Sequence, residues 1–241
     1  MSKVAIIGYG NVGYHLANHL QKKHDVTVYV RNSDGIKTFP VEELNPKEFN
    51  FIVLATPDSI TEEISSSIEA SNAIVVHTSG SKPMNSLVNH KRHGVIYPLQ
   101  TFSRRKEIDF NTFPLFIEGN EEAEKDIYAF ASSFSKDVRL MSSINRSKLH
   151  LAAVFACNFA NHMYHMAEKL LDPINMKFQD LEHLTSETLE KALEMNPSRS
   201  QTGPAIRKDE STIQHHLTMM DEGLMKRIYE LISEDIRKQS S

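Results

Sequence analysis

The hexapeptide Gly8-Tyr9-Gly10-Asn11-Val12-Gly13 constrains this chain more than any other feature. It follows an apolar run over residues 3–8. It leads into a segment with Val12, Leu16 and Leu20 at i, i+4 and i+8, one face of a helix. G-x-G-x-x-G alone is a weak signal. Between a buried strand and an amphipathic helix at the start of a chain, it specifies a βαβ unit that cradles a dinucleotide. The glycines have separate tasks: Gly8 permits the tight turn, Gly10 lets the backbone approach a diphosphate, and Gly13 lets the helix lie close on the strand. The helix start, with Tyr9, Asn11 and Val12 around it, then offers unpaired N–H groups to phosphate.

The end of the second strand reports on the ribose. An acidic residue there would suit a free 2′-hydroxyl. This chain has Arg31, Asn32 and Ser33 instead. A guanidinium fork flanked by an amide and a hydroxyl suits a 2′-phosphate, so the expected cofactor is NADP(H).

Further apolar runs at residues 51–55 and 73–77, and shorter ones at 94–97 and 114–118, alternate with helical patterns such as 58–70. Strands that are apolar throughout and separated by helices indicate a parallel sheet covered on both faces. From Asn145 onward the strand pattern stops. Residues 145–171 read as one long helix closed by Asp172-Pro173, residues 178–195 as one or two helices, 198–204 as a loop, and 211–237 as a final long helix. The fold class is therefore α/β: a Rossmann-type parallel-sheet domain over 1–143, followed by an all-α C-terminal dimerisation domain over 144–241. The dimer is expected because the 145–171 helix carries a wide apolar face with many small residues, including Ala152, Ala156, Ala160 and Met163, for a second copy to cover.

Composition narrows the function. A net charge of -4 with no long basic run gives no footprint for nucleic acid. No stretch approaches the ~18 apolar residues of a membrane span, and no signal peptide is recognisable. Cys157 is the only cysteine, and its apolar surroundings suggest core packing over reactivity. Together these features lead us to expect a cytoplasmic protein. No metal site is expected. His162 and His165, and the adjacent His215 and His216, lack an evident third ligand.

Candidate chemistry lies on segments that follow strands, because ligands of open α/β sheets bind beyond the carboxyl ends. Thr56 and Pro57 would lie along the cofactor. His77, Thr78 and Ser79 would sit nearer the nicotinamide, unless that loop is an ordinary capping turn. Gln100 and Thr101 offer hydrogen bonds to a substrate. On the long helix, His150, Asn158, Asn161, His162 and His165 share one side of a helical wheel, either a partly buried cleft or a solvent face. His150 and His77 are the candidate acid/base groups, since histidine suits proton transfer near neutral pH. Asn158 would orient the substrate. Lys148 and Arg207 would supply positive charge for an anionic group.

Several of these segments, taken together, carry a family resemblance. The fingerprint, Arg31-Asn32-Ser33, and residues 55–58, 77–81, 97–103, 148–159 and 202–209 resemble an uncharacterised family that joins a Rossmann domain to a C-terminal helical domain. That family is similar in architecture to pyrroline-5-carboxylate reductase, β-hydroxyacid dehydrogenases and deazaflavin-dependent NADP oxidoreductases. Its helical part is similar to the C-terminal domain of 6-phosphogluconate dehydrogenase. The resemblance implies an NADP-binding domain and a helical dimerisation domain, and no particular substrate. β-Hydroxyacid dehydrogenases carry a lysine and an asparagine four apart on the first inter-domain helix, whereas here Lys148 is followed by Ala152. Two functions fit. One is an NADP(H)-dependent oxidoreductase moving a hydride between the nicotinamide and a small, anionic C=O or C=N compound. The other is a non-catalytic NADP-binding sensor or interaction protein.

Overall fold

The computed structural model describes residues 1–31 and 38–239. Among these, eight strands form one sheet: β1 (Lys3–Ile7), β2 (Asp25–Val30), β3 (Phe39–Pro40), β4 (Phe51–Leu54), β5 (Ile74–His77), β6 (His93–Pro98), β7 (Leu115–Gly119) and β8 (Val138–Leu140). Their order is β3-β2-β1-β4-β5-β6-β7-β8. The chain builds outward from β1 in one direction, then returns to pair β4 on its other side. The strand order therefore reverses between β1 and β4, the kind of crevice that accepts ligands in open α/β sheets. Neighbours are parallel except β6 and β7, which run antiparallel with Tyr97 opposite Phe116. The expected all-parallel sheet is thus mixed at one edge: residues 99–114 join β6 to β7 without a helix, whereas parallel neighbours are usually joined by a helical crossover.

The central strands are apolar on both faces because both faces are covered. Val4, Ile6, Val53, Val76 and Ile96 point to one side and pack with Leu16 and Leu20 of α1 (Asn11–Leu20). Ala5, Ile7, Ile52, Leu54 and Val75 point to the other. The register is locked, since a one-residue slip would exchange the faces. Helix α2 (Thr61–Ser67) is shorter than the 58–70 pattern suggested, and α3 (Glu124–Ser132) follows β7.

Helix α4 (Ser143–Ala153) starts at Ser142, whose side chain accepts from the Asn145 N–H. Its Leu149 packs with Val95, Tyr97 and Phe116 of the sheet. Residues 1–157 form one compact unit and 158–241 a second. The expected uninterrupted helix over 145–171 is interrupted by a π-helical segment, Val154–Phe159, before α5 (Ala160–Leu171). Cys157 lies in that segment and is exposed, contrary to the core packing expected, because the whole stretch 155–159 is exposed with it.

The second unit has helices and no strand among its described residues: its α-helices are α5, α6 (Glu182–Met195), α7 (Pro197–Ser200), α8 (Glu210–Thr218) and α9 (Leu224–Gln239). The stretch expected as a loop after Asn196 opens with the single turn α7, set by Pro197 at its first position and the Asn196 side chain accepting from Ser198 N–H. The single final helix expected over 211–237 is two. The chain breaks at residues 219–223, and α9 folds back so that the Tyr229 hydroxyl meets His216 Nδ1 at 2.8 Å and Arg237 pairs with Glu210. No helix among the described residues is long and apolar enough to cross a membrane.

Candidate active site

The fingerprint turn lies at the switch point. Gly8 has φ 101°, a left-handed conformation that favours glycine, and a Cβ there would lie 2.5 Å from the Ala55 carbonyl oxygen. A Cβ on Gly13 would lie 2.0 Å from the Gly8 carbonyl oxygen, so α1 can approach the turn only without one. Gly10 is different. Nothing lies within 4 Å of where its Cβ would be. The turn needs Gly8 and Gly13 for its own packing, whereas Gly10 faces open space, as a surface approached by a ligand would. The start of α1 has no side-chain cap and no acidic residue in its first turn, so its N–H groups remain available to an anion.

Beside this turn lies a cavity of about 810 Å³ lined by Gly8, Gly10, Arg31, Thr56, Pro57 and Glu63. The volume falls within the ordinary range of small-molecule and cofactor sites. Arg31 lies at its rim, its guanidinium 3.8 Å from the Glu63 carboxylate, with both side chains more than half exposed. Asn32 and Ser33 lie outside the described residues. The Thr56 hydroxyl is 3.0 Å from that of Thr61, which bonds the Pro57 carbonyl and so secures the loop after β4.

The loops after β5 and β6 meet α4 at the same carboxyl edge. His77, at the end of β5, is 1% exposed and both its ring nitrogens are engaged. Nδ1 accepts from the Ser79 N–H at 3.2 Å, and Nε2 lies 3.3 Å from the Pro83 carbonyl oxygen, which can only accept. Burial, reinforced by the nearby Arg146 guanidinium, pushes the His77 pKa down to about 4. A neutral ring protonated on Nε2 satisfies both contacts. Ser79 Oγ accepts from the N–H groups of Ser81 and Lys82, and Thr78 Oγ1 reaches the Leu54 carbonyl at 3.4 Å. Gln100 and Thr101 are exposed, with the Thr101 N–H bonded to Gln100 Oε1 at 2.8 Å.

Residues that the sequence reading did not single out as site groups organise this edge. Arg146, with a side chain 1% exposed, sends Nη1 to Glu118 Oε2 at 2.5 Å and Nη2 to the Lys82 carbonyl at 2.5 Å. Ser143 Oγ donates to the same Glu118 oxygen at 2.6 Å. Burial opposes ionisation of Glu118, but the hydrogen bonds from Ser143 and Arg146 outweigh it and hold its carboxyl below the usual range. This latch fixes the first turn of α4 to β7 and to the β5 loop. One turn later, His150 lies against Gly80, where a Cβ would sit 2.6 Å from His150 Cγ and Nδ1. The Tyr97 hydroxyl lies 3.0 Å from His150 Nδ1, with the two rings edge to face. Burial raises the Tyr97 pKa, so the phenol stays protonated at neutral pH. His150 and Lys148 line a separate cavity of about 640 Å³ with Ser81, Pro83 and Ser147.

The first unit thus brings His150 together with Tyr97 and Gly80, and His150 shares a cavity with Lys148. Asn158 and Arg207 belong to the second unit. Both are exposed, Asn158 in the π-helical segment and Arg207 in the turn before α8, whose N-cap is Asp209.

A family model described as a domain of unknown function, DUF2520, matches residues 113–236, more than half of the 241 residues. The chain belongs to this DUF2520 family. The model of the NAD-dependent glycerol-3-phosphate dehydrogenase N-terminus matches residues 3–96. Among curated proteins, glycerol-3-phosphate dehydrogenase [NAD(P)+] of Limosilactobacillus reuteri is 30% identical over 104 residues, 39% of this chain and 31% of the relative. The match therefore spans under a third of that enzyme's length. A Bacteroides fragilis crystal structure described as a "putative NADP oxidoreductase" is 38% identical over 98% of both chains, with a TM-score of 0.89. Plasmodium falciparum pyrroline carboxylate reductase with NADP bound shares the fold at 11% identity and a TM-score of 0.61, over 100% of this chain and 98% of that one.

Proposed function

We propose that this DUF2520 member is an NADP(H)-dependent oxidoreductase that moves a hydride between the nicotinamide and a small C=O or C=N compound bearing an anionic group. The observation that carries this reading is the fingerprint turn at the sheet's switch point, open over Gly10 and beside the 810 Å³ cavity with Arg31 at its rim. The Bacteroides fragilis relative, similar over nearly its whole length, supports the same cofactor class. On this reading residues 1–143 hold the dinucleotide and residues 144–241 form a homodimer. Tyr9, Asn11 and Val12 complete the phosphate turn, Thr56 and Pro57 flank the adenosine half, and Arg31 with Asn32 and Ser33 takes the 2′-phosphate.

The bound nicotinamide supplies or accepts the hydride. The chain's own task is the proton. His150 is the acid/base group. With the Tyr97 hydroxyl donating to Nδ1, the imidazole carries its proton on Nε2. In reduction that proton passes to the carbonyl oxygen or imine nitrogen while the carbon gains the hydride; the Tyr97 hydroxyl gives its own proton to Nδ1 as Nε2 releases, so the ring stays neutral, and solvent then returns a proton to the tyrosine oxygen. His77, with both nitrogens engaged, holds the β5 loop in place and is the weaker acid/base candidate. Lys148 attracts the anionic group, and Thr78, Ser79, Gln100 and Thr101 flank the substrate. Asn158 orients the substrate and Arg207 clamps its charge, Arg207 from the partner subunit of the dimer.

Turnover of NADPH with a panel of small keto and imino acids tests the reading. With a substrate in hand, His150→Ala should lose about a hundredfold in kcat while NADPH affinity stays near wild type. Wild-type turnover in that variant would remove His150 from the chemistry.

A further inference from the structure

The loop after β6 carries a cation to the fingerprint turn. The Phe102 ring packs 5.6 Å from that of His15 on α1, and His15 Nε2 lies 2.9 Å from the Ser103 carbonyl oxygen. Because that oxygen only accepts, the ring nitrogen donates, and the loop is tied to α1. The next residue, Arg104, has its guanidinium carbon 5.1 Å from the Tyr9 ring centre and 5.2 Å from that of Tyr14. One Nη2–H bonds to the Tyr9 carbonyl oxygen, on the residue between the first two glycines. An arginine has five N–H donors, and a single bond leaves most of them unused. Arg104 is exposed, and no carboxylate among the described residues pairs with it.

We infer that Arg104 binds the diphosphate of the dinucleotide, at its nicotinamide-side phosphate; this rests on the cofactor reading above. The cavity with Arg31 and Thr56 takes the adenosine half on one side of Tyr9, and Arg104 is not among its lining residues. A diphosphate crossing the open face of Gly10 away from that cavity comes to the side of the turn held by Arg104. The backbone N–H groups of the turn contribute partial charge only, so a full cation beside them adds a charge-assisted contact. Two tyrosine rings and the Tyr9 carbonyl hold the guanidinium in place before ligand arrives, so less side-chain entropy is lost on binding. The contact would be common to both nicotinamide dinucleotides, unlike that of Arg31.

Calorimetric titration of wild type and Arg104→Ala with NADPH, NADH and adenosine 2′,5′-bisphosphate tests this, with melting temperatures reporting the fold. We expect Arg104→Ala to weaken NADPH and NADH alike, by about tenfold. Adenosine 2′,5′-bisphosphate lacks the nicotinamide-side phosphate, so its affinity should not change. Unchanged NADPH affinity overturns the inference, and so does a loss confined to NADPH, which would move Arg104 to the 2′-phosphate. Equal loss of the bisphosphate also overturns it, because Arg104 would then be supporting the turn only. Wild type that binds neither dinucleotide overturns the cofactor reading and this inference together. A wild type that binds both, with a variant that binds them equally well, overturns this inference alone.

Discussion

At the end of β2 one guanidinium lies 3.8 Å from a carboxylate, and both are mostly in solvent. An exposed pair of this kind contributes about 0–1 kcal/mol. A charge-assisted contact to a phosphate contributes about 1.5–3 kcal/mol. A 2′-phosphate would therefore draw Arg31 away from Glu63 at small cost. We expect Arg31→Ala to weaken NADPH by about ten- to a hundredfold and to leave NADH nearly unchanged. Titrations followed by the fluorescence of the reduced cofactors measure both, and equal wild-type affinities for NADPH and NADH would remove Arg31 from that role. Arg31 stood out as a candidate in the sequence because a strand end after a glycine fingerprint is where the ribose contact is expected. Tyr97 was not. It reads as one more apolar residue of a buried strand before Pro98, and only its hydroxyl, 3.0 Å from His150, reveals a second use. Arg146 was hidden differently: its carboxylate partner Glu118 is 28 residues away, a pairing that no local pattern encodes.

Among the elements, the β5 loop depends on a histidine that must stay neutral. The folded pKa of His77 is about 4, below the 6.5 of an unperturbed ring. Below 6.5 the unfolded chain takes up a proton that the folded chain refuses, so stability is lost as pH falls from 6.5 towards 4 and levels off beneath. The full loss is roughly 3 kcal/mol. Denaturant unfolding between pH 7 and pH 4 measures it. His77→Gln, which retains an acceptor and a donor without titrating, should flatten that part of the profile; an unchanged slope would assign the effect to other groups. The strands β1, β4 and β5 were readable because runs buried on two faces have no polar alternation to confuse them. The break between α8 and α9 and the π-helical segment were not. A uniform rotation of 100° per residue cannot register a local wide turn, and the break is set by the return of α9 onto α8.

At the scale of the molecule, the second unit exposes more than it buries. Among its described residues only Ala205, Ile213 and Ser233 are buried, while Leu184, Leu189, Leu193, Leu224 and Leu231 are each more than 60% exposed. A helical unit with so small a core does not bury enough apolar surface to offset its ordering entropy. A second copy is the proposed cover, so light scattering should give a dimer at micromolar concentration. Met163→Lys, on the apolar side of α5, should shift it to monomer and lower the melting temperature. A wild-type monomer would leave those leucines to another partner.

The reversed pair β7 and β8 has a consequence for spacing. Because β7 runs against β6, the Glu118 that anchors α4 lies opposite Val95, three residues short of Pro98. The chain therefore meets its anchor short of the strand end and must travel on to reach the Tyr97 hydroxyl. Helix α4 makes that journey, and the four residues from Arg146 to His150 rise about 6 Å. The helix acts as a ruler: one end is clamped, and the His150 ring stands a fixed distance up the same face. Adding one residue between the two marks would leave the clamp closed yet swing the imidazole by about 100°, out of its notch at Gly80.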